Sequence, residues 1–251
     1  MFLIIRNLFR IHPFFYIFMF ICFFTGRIRD FFLFFSIIIV HEFGHILFGL
    51  LFSWNVDRVI ILPFGCVTVF NSLINTSLFE QFIVTLMGPI FQIIFYFVIS
   101  HCFSLDSSIS YFNFFLLIFN LLPIFPLDGS KFLYVFLCFI FPFRLSYFLL
   151  CLFSFLFIFF VILFVGHFDF IIYICLLFLF FRTFFEFRNR RIIFNKFLFE
   201  RYNYDFSFRY VRRVNCIGKM YLWCRHLFSD GGMYVTEREK LLKMFDNRYK
   251  L

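Results

Sequence analysis

Two histidines and a glutamate share one short stretch of the chain, His41-Glu42-Phe43-Gly44-His45. On a helix, residues four positions apart lie on the same face, so His41 and His45 can both bind one metal ion. This H-E-x-x-H spacing suits zinc, and Glu42 is placed to accept a proton from a water molecule that the metal activates. The pattern predicts a catalytic zinc site with His41 and His45 as metal ligands and Glu42 as the general base. An alternative is that the two histidines only hydrogen-bond neighbouring helices.

A catalytic zinc site takes three protein ligands and keeps one coordination position open. The third ligand should be another ionisable residue in the apolar part of the chain. Asp128 follows a stretch in which Pro123 and Pro126 interrupt a helix, and Gly129 permits close approach of the backbone. Asp128 is therefore the expected third metal ligand. Glu80, at the start of another apolar segment, is the less favoured alternative.

The chain as a whole has the composition of a polytopic membrane protein. Of its 251 residues, 63% are hydrophobic and only 15% are charged, whereas about 25% are charged in soluble domains. Six apolar segments are candidate membrane spans: 13–26, 31–53, 78–101, 111–127, 145–165 and 168–182. The H-E-x-x-H pattern lies in the second span, where ionisable residues are costly and indicate function. The sequence thus predicts an all-α membrane protein with about six transmembrane helices.

The segment 54–77 differs from the apolar spans around it. It contains two short β-like runs, Val59 to Leu62 and Val67 to Val69, followed by a polar stretch. We interpret it as a hairpin or re-entrant loop associated with the membrane. Its extended backbone could pair with a substrate as an added strand, which makes Val67 and Val69 candidate substrate-binding residues.

Positive charge is concentrated at the C-terminal end of the chain. From Arg182 onward there are 16 Lys and Arg against 7 Asp and Glu, whereas the two kinds balance before it. A basic tail can bind nucleic acid, but a cytoplasmic tail next to anionic lipid is the simpler explanation. With six spans this predicts that both termini are cytoplasmic, although Arg27 and Arg29 would then lie on the opposite side.

The H-E-x-x-H pattern, together with the stretch from Asn120 to Gly129, resembles the site-2 protease family of intramembrane zinc metalloproteases. The likeness is greatest to its sporulation branch, the stage IV sporulation protein FB-like enzymes. Further local matches lie between about residues 10 and 205: His12-Pro13-Phe14, Phe52-Ser53-Trp54, Leu62-Pro63-Phe64-Gly65, Met87-Gly88-Pro89 and Phe199-Glu200-Arg201-Tyr202.

The resemblance implies a zinc endopeptidase that cleaves a membrane-associated protein, with one Zn²⁺ per chain. In the sporulation branch the implied substrate is a pro-sigma factor, and inhibitory membrane proteins are implied partners. The implied location is the bacterial cell membrane, that of the mother cell around the forespore. Asn120 and Pro126 match positions linked to substrate binding. A homo-oligomer is also compatible with the family.

The resemblance divides the chain into a six-span protease domain, 1–182, and a cytoplasmic tail, 183–251. The branch carries a regulatory cystathionine-β-synthase (CBS)-like domain, of which this tail would be a degenerate form. Gly65-Cys66 and Gly129-Ser130 also replace pairs of glycines that are usual in the branch. A rival class is a non-catalytic zinc-binding transporter or scaffold. A transporter should have polar residues along several spans, and a dead protease should lack Glu42.

Overall fold

The computed structural model describes residues 9–11, 13–62, 65–102, 107–164, 170–230 and 233–246. The helices and strands follow in this order: β1 (Phe9–Ile11), α1 (Pro13–Phe24), α2 (Ile28–Leu51), β2 (Val56–Leu62), β3 (Gly65–Phe70), α3 (Leu78–Cys102), α4 (Ser107–Leu121), α5 (Asp128–Ile140), α6 (Phe143–Phe164), α7 (Phe170–Asn203), β4 (Val211–Val214), β5 (Arg225–Asp230), β6 (Met233–Thr236) and α8 (Glu237–Asp246). His12, Pro63 and Phe64, which belong to the local sequence matches, lie outside these residues.

Within the described residues, three helices are long and apolar enough to cross a membrane. They cover Ile28–Leu51, Leu78–His101 and Phe143–Leu163, and two shorter apolar helices cover Phe15–Phe24 and Ile109–Leu121. Large apolar side chains stand exposed along them, as at Phe97, Phe114 and Phe159. Water would oppose such exposure, whereas lipid does not. The helices therefore confirm a mainly helical membrane protein, while the count of six spans stays a prediction.

The chain forms two compact units, and the first comprises residues up to Ser72 together with Phe82–Leu121. Its core joins α2 and α4, where Ile37, Ile38 and Leu116 are buried against one another. Phe34, Cys66, Phe95 and Phe112 pack around these three residues. The apolar side chains along α2 thus fix that helix inside the unit, and with it the residues of the H-E-x-x-H pattern.

A three-stranded sheet also belongs to the first unit, with the strand order β1-β2-β3. Strands β2 and β3 are antiparallel, with Val59 opposite Thr68, which confirms the predicted hairpin. The run of Val and Ile in β2 favours extended backbone because β-branched side chains fit a pleated surface. The sequence did not predict β1, which pairs in parallel with β2 and has only three residues.

The chain is not helical between α4 and α5, from Leu122 to Leu127. Pro123 and Pro126 account for this break, since proline has no N–H to donate and disfavours helical backbone in the residue before it. The prediction of an interrupted helix is confirmed in this respect. The sequence placed Asp128 at the end of an apolar span, however, whereas in the structure it begins the new helix α5.

The second unit comprises Leu73–Gln81 and the residues from Leu122 onward. Helix α7 runs unbroken from Phe170 to Asn203, so it extends beyond the predicted sixth span into the residues assigned to the tail. The residues after it form a small sheet, β4-β5-β6, with β4 parallel to β5 and β6 antiparallel. Phe143, Phe197, Met220, Phe228 and Leu241 belong to one buried cluster that joins the tail to α6 and α7.

Arg201 lies at the centre of a buried polar network in this unit. Its side chain donates hydrogen bonds to the carbonyl oxygens of Tyr221, Leu222 and Cys224, to Asn75 Oδ1 and to Glu237. A buried guanidinium is stable only when its donors are satisfied in this way. Burial lowers the pKa of Arg201, while Glu237 opposes that shift. The network fastens α7 to the tail and to the loop that contains Asn75.

His226 is part of the same network, although the sequence offered no partner for it. Its Nε2 accepts a hydrogen bond from the Tyr221 N–H at 2.9 Å, and its Nδ1 lies 3.1 Å from Glu237 Oε2. The first bond requires a lone pair on Nε2, so the imidazole is neutral. Burial lowers the pKa of His226 accordingly. Burial alone would raise the pKa of Glu237, but His226 and Arg201 outweigh it and lower that pKa.

Candidate metal centre and catalytic base

The two histidines of α2 lie side by side inside the first unit. His41 is 2% exposed and His45 is 3% exposed, and their Nε2 atoms are 3.2 Å apart. The four-residue spacing on a helix produces this arrangement, as the sequence predicted. What the pair can bind depends on which ring nitrogens carry hydrogen atoms.

Hydrogen bonds to the neighbouring helix α3 show that Nδ1 of each ring carries a hydrogen atom. His45 Nδ1 lies 2.8 Å from the carbonyl oxygen of Val84, which can only accept, so this Nδ1 carries a hydrogen atom. His41 Nδ1 lies 2.9 Å from Gln92 Oε1. The amide nitrogen of Gln92 donates to the carbonyl oxygen and the Oδ1 of Asn113, at 2.8 and 3.2 Å, so Oε1 is left to accept from His41.

Because Nδ1 of each ring is taken up by a hydrogen bond to α3, Nε2 is the atom that each ring can offer to a metal ion. The two Nε2 atoms lie 3.2 Å apart, so one ion could lie close to both. Imidazole nitrogens are common zinc ligands, and ligating histidines usually donate their other N–H to a carbonyl or carboxyl oxygen. The pair formed by His41 and His45 thus fits a zinc ion on the evidence of its own hydrogen bonds.

Two glycines allow α2 and α3 to approach closely enough for these bonds. A Cβ atom on Gly44 would lie 2.4 Å from the carbonyl oxygen of Met87, which is closer than such atoms can come. A Cβ atom on Gly88 would lie 2.3 Å from His45 Nε2. The ring of His45 therefore occupies the space that a side chain at position 88 would fill.

Glu42 lies next to the two histidines and makes a different contact. Its Oε2 accepts a hydrogen bond of 2.7 Å from the hydroxyl of Thr68 on strand β3. Glu42 is only partly buried, whereas His41 and His45 are almost fully buried. A carboxylate held beside a metal site by one donor can serve as a general base.

Asp128 lies in the first turn of α5, where the helix dipole favours a negative charge. The carboxylate is buried, and its Oδ1 pairs with the ammonium group of Lys131 at 2.8 Å. Asp128 belongs to the second unit, and its role as the third metal ligand stays a prediction. Glu80, the less favoured candidate, also belongs to the second unit, in the first turn of α3.

The candidate substrate-binding residues lie in several elements. Asn120 is in the last turn of α4, and its Nδ2 is 3.4 Å from His41 Nε2. Pro126 belongs to the non-helical stretch before α5. Val67 and Val69 are in β3, opposite Ile60 and Arg58 of β2. Their binding roles stay predictions.

Sequence reasoning missed Gln92, Asn113 and Thr68, which hold the histidines and the glutamate in place. A signal was available for two of them, because Gln92 and Asn113 are polar residues within apolar spans and membrane interiors disfavour such residues without partners. No sequence pattern marks Thr68, because threonine is ordinary in a strand. His101 at the end of α3 is exposed, and its Nδ1 lies 2.9 Å from the carbonyl oxygen of Phe97 in the same helix.

Comparison with known proteins agrees with this site. The sequence model of peptidase family M50 matches residues 31–110 of this chain. Stage IV sporulation protein FB of Bacillus subtilis (strain 168) is 32% identical over 207 residues, which make up 76% of this chain and 70% of that protein. The site-2 protease from Methanocaldococcus jannaschii has a similar fold, with a TM-score of 0.57 and 21% identity over 72% of this chain and 90% of that chain.

The fold and the paired histidines define a class, the zinc metalloproteases of membranes. Within that class, this chain belongs to peptidase family M50. The resemblance derived from the H-E-x-x-H pattern and the stretch around Asp128 is thereby confirmed. The chain is a metalloendopeptidase, and the rival class of non-catalytic transporters or scaffolds is not supported.

Proposed function

We propose that this enzyme hydrolyses a peptide bond of a membrane-associated protein, with His41, His45 and Asp128 as ligands of one zinc ion and Glu42 as the general base. The observation that carries the proposal is the pair of Nε2 atoms 3.2 Å apart on a helix that is long and apolar enough to cross a membrane. The hydrogen bonds to Gln92 and Val84 engage Nδ1 of both rings and leave Nε2 of each for a metal ion.

Each of these residues has a separate role in the proposed hydrolysis. When bound, zinc supplies Lewis-acid activation of a water molecule and of the scissile carbonyl group. Glu42 accepts the proton of the water and passes it to the amine that leaves. Thr68 holds the carboxylate of Glu42 during this transfer. His41 and His45 are almost fully buried, which limits their contact with bulk water.

We also propose that the substrate binds in an extended form along β3. In the described part of the sheet, β3 is an edge strand, because β2 pairs with it on one side only. A substrate segment added there, next to Val67 and Val69, would have its backbone hydrogen bonds satisfied after it unwinds. Asn120 would contribute an amide to the bound segment beside His41, and Pro126 would keep the backbone before Asp128 extended.

Similarity to stage IV sporulation protein FB supports a role in sporulation, with a pro-sigma factor as the substrate. The same similarity supports regulation by inhibitory membrane proteins and a location in the mother-cell membrane around the forespore. We further propose six spans within residues 1–182, a cytoplasmic tail at 183–251 and both termini in the cytoplasm. The excess of basic residues in the tail supports this orientation. A regulatory, CBS-like role for the tail and a homo-oligomer belong to the same proposal.

Co-expression of a pro-sigma factor with the enzyme tests the proposal. The wild type should remove the pro-sequence, and Glu42→Gln should leave it in place although the protein still reaches the membrane. Equal processing by both proteins would refute the assignment of Glu42. If neither cleaves the pro-sigma factor, while the wild type alone cleaves another membrane-associated protein, the substrate assignment would be wrong and the protease site would stand.

A further inference from the structure

We propose that Thr68 is a positioning residue for Glu42, so that the strand which receives the substrate also sets the orientation of the base. This proposal rests on the proposed function and deepens it. It names a residue that is neither a proposed metal ligand nor the proposed base, and it assigns that residue an effect on the catalytic step.

The packing of β3 against α2 places Thr68 where it can act in this way. Alternate residues of a strand lie on the same face, so Cys66, Thr68 and Phe70 share one face of β3. Cys66 packs against the cluster of Ile37, Ile38 and Leu116, and a Cβ atom on Gly49 would lie only 2.5 Å from Cε1 of the Phe70 ring. This face of β3 therefore runs along α2, with Thr68 between two tight apolar contacts.

The hydroxyl of Thr68 is a polar group between two residues that make apolar contacts. Both of its neighbours there, Cys66 and Phe70, make apolar contacts, and a valine at position 68 would have nearly the same shape. Thr68 donates its hydrogen to Glu42 Oε2 at 2.7 Å, which is the usual length for a hydroxyl bound to an oxygen acceptor. The function of the hydroxyl is therefore this bond to Glu42, since packing alone does not require it.

A hydrogen bond of this kind fixes the orientation of the Glu42 carboxylate. The last torsion of a glutamate side chain is broad, so an unrestrained carboxylate samples many orientations. The backbone of Thr68 is fixed by pairing with Val59 on one side. A substrate strand added at the other edge of β3 would hold that backbone on both sides, and through the hydroxyl it would hold Glu42. Substrate pairing and orientation of the base are coupled through one residue.

The test compares Thr68→Val with Thr68→Ser in the purified full-length enzyme in lipid vesicles, with the pro-sigma factor as substrate. Because Thr68→Val removes a hydrogen bond to a charged group, we expect its kcat to fall about 10-fold to 100-fold. KM should stay within about twofold, and Thr68→Ser should restore kcat because it keeps the donor. Thr25→Val, which removes a hydroxyl bonded only within its own helix turn, should behave as the wild type.

The outcomes separate the two proposals. An unchanged kcat in Thr68→Val, or a change in KM alone, would overturn the positioning role. Failure of Thr68→Ser to restore kcat would also overturn it. A second measurement does not need activity: the infrared carboxylate band assigned to Glu42 by comparison with Glu42→Gln should shift in Thr68→Val and return in Thr68→Ser. An enzyme in which even the wild type cleaves nothing would refute the proposed function, and the infrared band would still decide the role of Thr68.

Discussion

The Nδ1 atom of His41 lies 2.9 Å from the Oε1 atom of Gln92, a residue on another helix and 51 positions further along the chain. This bond fixes the tautomer of His41 and leaves Nε2 as the metal-binding atom. Gln92 is itself held by two bonds to Asn113 of α4. The ligand geometry thus depends on three helices of the first unit, α2, α3 and α4.

Replacing Gln92 with leucine should weaken zinc binding while the fold persists. The change removes the acceptor that orients His41, and loss of such a partner typically costs about 10-fold to 100-fold in metal affinity. Titration of the purified protein with a chelator measures this affinity. Ser100→Ala in the same helix, whose hydroxyl bonds to the carbonyl oxygen of Phe97, is the control and should leave the affinity unchanged. Equal affinity in Gln92→Leu and Ser100→Ala would show that Gln92 has no such role.

Gly88→Ala should displace His45. The added Cβ atom would lie 2.3 Å from His45 Nε2, so the ring must move away from its present position. We expect the variant to retain less than about a tenth of the zinc of the wild type, as measured by metal analysis after purification. At Gly218 a Cβ atom meets only the end of the Arg144 side chain, at 3.4 Å, so Gly218→Ala should bind zinc normally. Full zinc content in Gly88→Ala would contradict the placement of His45.

Proline at Val69 should impair cleavage more than zinc binding. Proline removes an N–H from β3, which weakens pairing along the strand, but it changes no metal ligand. We expect kcat/KM to fall at least about tenfold and the zinc content to stay near that of the wild type. Val69→Ala, which keeps the backbone donor, is the control. If Val69→Pro cleaved the substrate as rapidly as Val69→Ala, binding of the substrate along β3 would be refuted.

The tail should lose stability as the pH falls. His226 has a pKa lowered from 6.5 in the folded tail, so below about pH 6.5 the unfolded chain takes up the proton first and the free energy of unfolding decreases. Glu237 has a pKa lowered from 4.5, so its stabilising contribution is present above that value and is lost as the pH falls further. Hydrogen exchange of the β5 amides, followed between about pH 7 and pH 4, measures this loss. His226→Gln should remove the loss of protection that begins below about pH 6.5. Exchange protection that stays constant with pH in the wild type would contradict the network.

The candidate catalytic and metal-binding residues were easier to predict from the sequence than the contacts that position them. His41, Glu42 and His45 follow from helical spacing, and the hairpin of β2 and β3 follows from its β-branched residues. Asp128 was predicted as a ligand because prolines interrupt a helix before it. These features are local, so a single stretch of sequence contains the information needed to predict them.

The features that sequence reasoning missed depend on contacts between distant residues. Gln92 and Asn113 acquire their roles only when α2, α3 and α4 meet, and Thr68 acquires its role only when β3 packs on α2. The same holds for His226, which needs Glu237 from the start of α8. Helix α5 was also missed, because the sequence treated the residues after Asp128 as a link between two spans.

The most direct test of the central claim measures zinc content and peptide hydrolysis together in two variants, Glu42→Gln and Asp128→Asn. The account predicts that Glu42→Gln binds about one zinc ion per chain and cleaves nothing, since it loses only the base. Asp128→Asn should lose both zinc and cleavage, since it loses a ligand. Cleavage by Glu42→Gln at the wild-type rate, or full zinc binding by Asp128→Asn, would contradict the account.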